Sequence, residues 1–101
     1  MAEIKWTPQA ADDLESIANF IAKDSPNYAR LFVIDVLDAV DRLVVFPQSG
    51  RIVPELKNQT IREVIKGHYR IVYRFKAETV EVLTVHHGAR LLGHALREEN
   101  L

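Results

Sequence analysis

The chain has no cysteine, which excludes a disulfide scaffold, a thiolate zinc finger, a thiol enzyme and an iron–sulfur centre. Thiol absence fits a reducing compartment. Glycine and proline are scarce, four of each in 101 residues, too few for a collagen-like or low-complexity chain. No apolar run approaches the roughly 20 residues that span a bilayer. The opening Met1-Ala2-Glu3-Ile4-Lys5-Trp6 lacks the basic and apolar regions of a signal peptide. A cytoplasmic location and no membrane partner are therefore expected. Neither sign of charge dominates: 13 basic residues stand against 14 acidic ones.

What the chain does have is 48% hydrophobic and 27% charged residues, enough apolar surface to offset folding entropy in one small core. Residues 1–101 are read as a single domain. The charge is distributed unevenly. Residues 1–47 hold four Lys/Arg against eight Asp/Glu, and residues 48–101 hold nine against six. Within 51–76 the basic residues Arg51, Lys57, Arg62, Lys66, Arg70, Arg74 and Lys76 face only Glu55 and Glu63. An anionic partner would sit on this basic half.

Hydrophobic spacing gives the elements. Glu3-Ile4-Lys5-Trp6 alternates and is too short for a helix, so it predicts a short strand. Thr7-Pro8 is a helix start, with a hydroxyl to accept from an orphan N–H and proline at the first helical position. Ala11, Leu14, Ile17, Ala18 and Ile21 then fall on one face, predicting a helix from about 8 to 23. Ser25-Pro26 repeats the signal, and Ala29, Phe32, Val33, Val36, Val40, Leu43 and Val44 continue as one stripe until Pro47, Ser49 and Gly50. So short a connection folds the two helices into an antiparallel hairpin. After a polar connector at 48–59 the period changes to two. His68-Tyr69-Arg70-Ile71-Val72-Tyr73-Arg74-Phe75 is the clearest strand, with Thr60 to Ile65 before it and Thr79 to His87 after it. Gly88 ends this three-stranded antiparallel meander, and 90–99 predicts a short terminal helix using Leu91, Leu92, Ala95 and Leu96. The fold class is α+β, a helical hairpin packed on an antiparallel sheet.

This order resembles the ParE/RelE superfamily of bacterial toxins from type II toxin–antitoxin pairs. The resemblance rests on Trp6-Thr7-Pro8-Gln9-Ala10-Ala11-Asp12-Asp13-Leu14, on Phe46-Pro47-Gln48-Ser49-Gly50-Arg51 with Pro54-Glu55-Leu56, and on Arg62-Glu63. It continues through Gly67-His68-Tyr69-Arg70-Ile71-Val72-Tyr73-Arg74 and Val85-His86-His87-Gly88-Ala89-Arg90. It implies a toxin held inactive by an antitoxin whose C-terminal segment wraps it. Two targets occur in the superfamily: RelE-like members cleave mRNA in the ribosomal A site, and ParE-like members poison DNA gyrase.

Metal-independent RNA cleavage needs a base for the 2′-hydroxyl, cations for the phosphorane charge and an acid for the leaving oxygen. The residues available are His86 or His87 as base, His87 being favoured, with Arg62, Arg70, Arg74 and Arg90 as cations. Each arginine taken alone reads as the solvated face of a half-exposed sheet. Successive strand residues point to opposite faces, so only one of His86 and His87 can serve a given site. The resemblance implies a C-terminal tyrosine for RelE-like nucleases, yet Tyr28, Tyr69 and Tyr73 all precede that region. The Arg51 to Leu56 segment and the His87-Gly88-x-Arg90 ending resemble ParE-like members instead. The reading favoured is therefore gyrase inhibition by binding, through Arg51, Arg62, Arg70, Arg74, His87 and Arg90. Ribosome-dependent mRNA cleavage, or a non-toxic relic that binds only its antitoxin, are the alternatives. His87 and Arg90 read equally as residues that hydrogen-bond the turn into the tail.

The four histidines show no ligand spacing, so no metal and no other cofactor are expected. Leu31, Ile34 and Leu37 lie off the main stripe of the second helix. They form either an apolar rim for the antitoxin or one edge of a wide core face.

Overall fold

A computed structural model of the chain describes residues 1–89. The elements are β1 (Glu3–Trp6), α1 (Pro8–Ala22), α2 (Pro26–Arg42), β2 (Arg51–Ile52), β3 (Ile61–Lys66), β4 (Tyr69–Lys76) and β5 (Thr79–His87). The expected terminal helix at 90–99 and Arg90 lie outside the described residues.

Both helix starts follow the local chemistry. The Thr7 hydroxyl accepts from Ala10 N at 3.1 Å and donates to the Val82 carbonyl at 2.8 Å, so it caps α1 and ties it to β5 at once. Ser25 accepts from Tyr28 N at 3.1 Å. A proline follows each cap, where its missing N–H costs nothing.

The five strands form one sheet in the order β1-β5-β4-β3-β2. The meander β3-β4-β5 is antiparallel, as its spacing predicts. β1 joins it parallel to β5, from Glu3 against Thr79 to Trp6 against Val82, so the sheet is mixed. Its position is fixed by hydrogen bonds just outside the pairing, Ala2 N to Val44 O at 3.1 Å and Glu3 N to Glu78 O at 3.0 Å. The connector also supplies the two-residue strand β2, antiparallel to β3.

The sheet buries both faces. Under the helices, Ala10, Val36, Ala39 and Val40 pack on Ile71, Val82 and Val85, and Leu43 closes the end of this layer against Ala2, Tyr73 and Val80. On the opposite face Val53, Ile61, Val72 and Leu83 are buried together, with Leu56 over them. Each such side chain removed from water contributes roughly 1.5–3 kcal/mol. The half-solvated sheet expected from alternation is thus corrected: the connector covers part of the outer face. A β-bulge makes this cover fit. Val72 pairs with Thr84 and Tyr73 with Val82, leaving Leu83 as the extra residue that joins the outer cluster.

The connector is pinned by the buried Tyr73 hydroxyl, which donates to Pro47 O at 2.7 Å and accepts from Gly50 N at 3.1 Å. Only glycine fits at 50, because a Cβ there would lie 2.7 Å from both the Glu63 carbonyl and the Tyr73 hydroxyl.

Candidate functional site

The basic meander does not present a row of free arginines. Glu63 is fully buried at its side chain and accepts from Arg51 Nε through one oxygen and from Arg70 Nε through the other. The remaining Arg70 nitrogens hold Glu55 in a bidentate pair, at 2.8 and 3.0 Å. The result is a chain of alternating charge, Arg51–Glu63–Arg70–Glu55, lying over the outer sheet face. Hydrogen bonding to Glu55, then to Glu63, raises Arg70 above its ordinary guanidinium value despite burial. The same bond to Arg70 lowers Glu55 below the usual carboxylate range.

The expectation that Arg70 lies on an accessible basic surface is therefore corrected: it is buried and doubly paired. Arg62 is half-buried and donates to Gly50 O at 2.9 Å, strapping down the connector. Arg74 is half-buried and pairs with Glu81 at 3.4 Å. Arg51 keeps an exposed side chain despite its contact with Glu63.

The histidines separate as alternation requires. His86 pairs across the ladder with Arg70, is buried, and places Nδ1 3.0 Å from the His87 carbonyl. Since a carbonyl only accepts, that nitrogen carries the proton. His87 pairs with Tyr69 and faces the helix side. Its ring is exposed, stacks on His68 at 6.1 Å, meets Tyr69 edge-on at 5.4 Å, and accepts from Ala89 N at 3.1 Å. His87 is thus across the sheet from Arg70, and Arg62 is engaged at the connector. Among the described residues, the structure does not bring His87 together with Arg70 and Arg74.

Leu31, Ile34 and Leu37 stand exposed on α2 while Val36, Ala39 and Val40 are buried beneath them. A second apolar feature was not anticipated. The end of the hairpin and the β3–β4 turn enclose a groove lined by Phe20, Tyr28 and Phe32 on one side and Lys66, His68 and Tyr69 on the other. Phe32 and Tyr69 meet at 4.9 Å across its floor. The available signal was that Phe20 and Tyr28 are aromatic residues outside the core stripes of their helices.

Among the described residues no cluster of three or more metal-ligating side chains occurs, and no helix is long and apolar enough to cross a membrane.

Comparison with known proteins gives consistent results. The family model described as "ParE toxin of type II toxin-antitoxin system, parDE" matches residues 4–92. Toxin RelE2 of Caulobacter vibrioides is 34% identical over 92 residues, covering 90% of this chain and 100% of that protein. The fold is similar to that of a chain in the chromosomal ParDE toxin–antitoxin system of P. aeruginosa. There the TM-score is 0.68 at 24% identity, over 86% of this chain and 96% of that one. It is also similar to a chain of the RelBE2 toxin–antitoxin complex of Mycobacterium tuberculosis, with a TM-score of 0.62 at 22% identity, over 85% and 96% respectively.

Proposed function

Because the chain belongs to the ParE toxin family of type II toxin–antitoxin systems, we propose that it inhibits DNA gyrase by binding it and is neutralised by a cognate antitoxin. The observation that carries the gyrase reading is the separation, among the described residues, of His87 from Arg70 and Arg74. Arg70 is committed to Glu55 and Glu63, and His87 lies on the helix side while Arg70 and Arg74 belong to the outer face. A phosphorane needs cations and a proton acceptor around one phosphate, and these residues do not surround one. A target-binding surface has no such requirement. Among the described residues of the expected target-binding set, Arg51 and His87 are the exposed ones. Leu31, Ile34 and Leu37 supply an exposed apolar stripe suited to an amphipathic antitoxin segment.

A second reading is ribosome-dependent mRNA cleavage, favoured by the similarity to a protein named RelE2. Expression of the chain in a bacterial host without antitoxin separates the two. Gyrase poisoning breaks the chromosome while protein synthesis continues at first. Cleavage of mRNA stops amino-acid incorporation while the chromosome stays intact. The proposal expects the first pattern, and the second would replace it with the nuclease reading. Normal growth with the folded chain present would leave the antitoxin-binding relic.

A further inference from the structure

The groove between the hairpin end and the β3–β4 turn has a volume of about 440 Å³ and a chemistry of its own. Phe20 and Tyr28 are 66% and 68% exposed, an unusual placement for two adjoining large aromatic residues on a small domain. Asp24 and Asp35 line the same helical wall. Among the described residues, neither carboxylate has an ion-pair or hydrogen-bond partner. The helical wall therefore combines aromatic faces, which carry negative charge density, with two carboxylates that no described residue pairs.

That combination selects for a cation on an apolar stem. A guanidinium or ammonium over a ring face is attracted by the ring quadrupole, and the carboxylates add direct pairing with charge-assisted hydrogen bonds. The methylene stem of arginine or lysine would cover the aromatic surface while the head reached the wall. An anionic or purely aliphatic occupant would instead desolvate both carboxylates without a partner. Lys66 and His68 line the opposite wall. The Lys66 ammonium disfavours a cation on that side and so directs the head toward Asp24 and Asp35.

We infer that this groove anchors an arginine or lysine side chain presented by the antitoxin. The occupant's identity as antitoxin rests on the toxin reading above, and the pocket's preference for a cation rests on the groove alone. The anchor would hold the antitoxin at the hairpin end, beyond the apolar stripe of Leu31, Ile34 and Leu37.

Two measurements on the full chain test this. In the first, N-acetyl-arginine methylamide is titrated while the Tyr28 and Tyr69 ring resonances are followed by NMR, with the N-acetyl-glutamate methylamide as control. Saturable shifts with the arginine probe alone are expected, weakened at least fivefold in the Asp24→Asn/Asp35→Asn variant. Both aspartates are exposed, and circular dichroism checks that the variant is folded. No shift with the arginine probe, or equal shifts with both probes, overturns the proposal. In the second, cognate antitoxin is bound to wild type and to Asp24→Lys/Asp35→Lys. At least tenfold weaker binding by the folded variant, regained when a basic antitoxin residue is made acidic, is expected. Unchanged affinity overturns the anchor and leaves the toxin reading standing. An antitoxin that fails to bind the wild type overturns both.

Discussion

Replacing Glu63 by glutamine removes the central anion of the outer-face ion-pair chain while keeping the side chain's shape. Its effect can be worked from burial. Glu63 is 0% exposed at the side chain and Arg70 9%, so the variant leaves a buried guanidinium with one of its two carboxylates. Loss of one partner from a buried pair costs roughly 3–5 kcal/mol. The surviving bidentate bond to Glu55 places this case at the lower end, about 3 kcal/mol. The Arg51 contact adds little, because that side chain is 60% exposed and screened pairs contribute roughly 0–1 kcal/mol. For a domain of this length the loss lowers the melting temperature by roughly 12–24 °C and the urea midpoint by about 2 M. Glu55→Gln, whose carboxylate is 41% exposed, is expected to cost only about 1 kcal/mol after discounting for solvent. Replacing Glu63 and Arg70 together by leucine should be close to neutral. The assay is urea unfolding followed by circular dichroism on all three variants. A Glu63→Gln cost below about 1 kcal/mol, or one equal to that of Glu55→Gln, would refute the reading of Glu63–Arg70 as the buried centre of the ion-pair chain.

Other perturbations follow from the same structure. Ala77 and Glu78 form the β4–β5 turn with φ of 53° and 59°, a left-handed pair that suits Asn-Gly. The Ala77→Asn/Glu78→Gly double variant should gain about 1 kcal/mol, and an unchanged or lower melting temperature would contradict it. Thr7→Ala loses a helix cap and a buried bond to β5 and should cost about 2 kcal/mol, against roughly 0.5–1 for Ser25→Ala at an exposed cap. Equal melting temperatures of these two variants would deny Thr7 its second role. Glu55 is lowered from its ordinary 4.5 by Arg70, so its contribution is fully present above that pH and is lost as pH falls through the depressed folded value. The wild type's advantage over Glu55→Gln in urea should therefore shrink below pH 4.5; a constant difference would contradict the pairing. Tyr73 is raised above 10.0 mainly by burial. Its contribution is present below pH 10.0 and lost as pH rises toward the folded value, whereas Tyr73→Phe should show a smaller alkaline loss.

The helices and the meander were legible because each carries its own period and its own punctuation. Thr7-Pro8, Ser25-Pro26 and Gly67 stand where the caps and the β3–β4 turn occur. What escaped depends on contacts between residues far apart in the chain. A four-residue strand such as β1 says nothing of its direction, which is set here by Ala2 and Glu3 reaching Val44 and Glu78. Arg70 alternates as a solvent-facing residue, yet it is buried and paired with both Glu55 and Glu63. The connector has no periodicity to announce that pairing. Leu31, Ile34 and Leu37 were legible as off-stripe positions, and their exposure follows. Phe20 and Tyr28 gave the same kind of signal, but the groove needs the β3–β4 turn beside them, a placement no local pattern encodes.

Supercoiling of relaxed plasmid by purified gyrase, with and without the chain, tests the central claim most directly. Binding-based inhibition predicts that supercoiling is lost, that cleaved plasmid accumulates, and that stoichiometric cognate antitoxin restores activity. Full supercoiling in the presence of excess folded chain would contradict it.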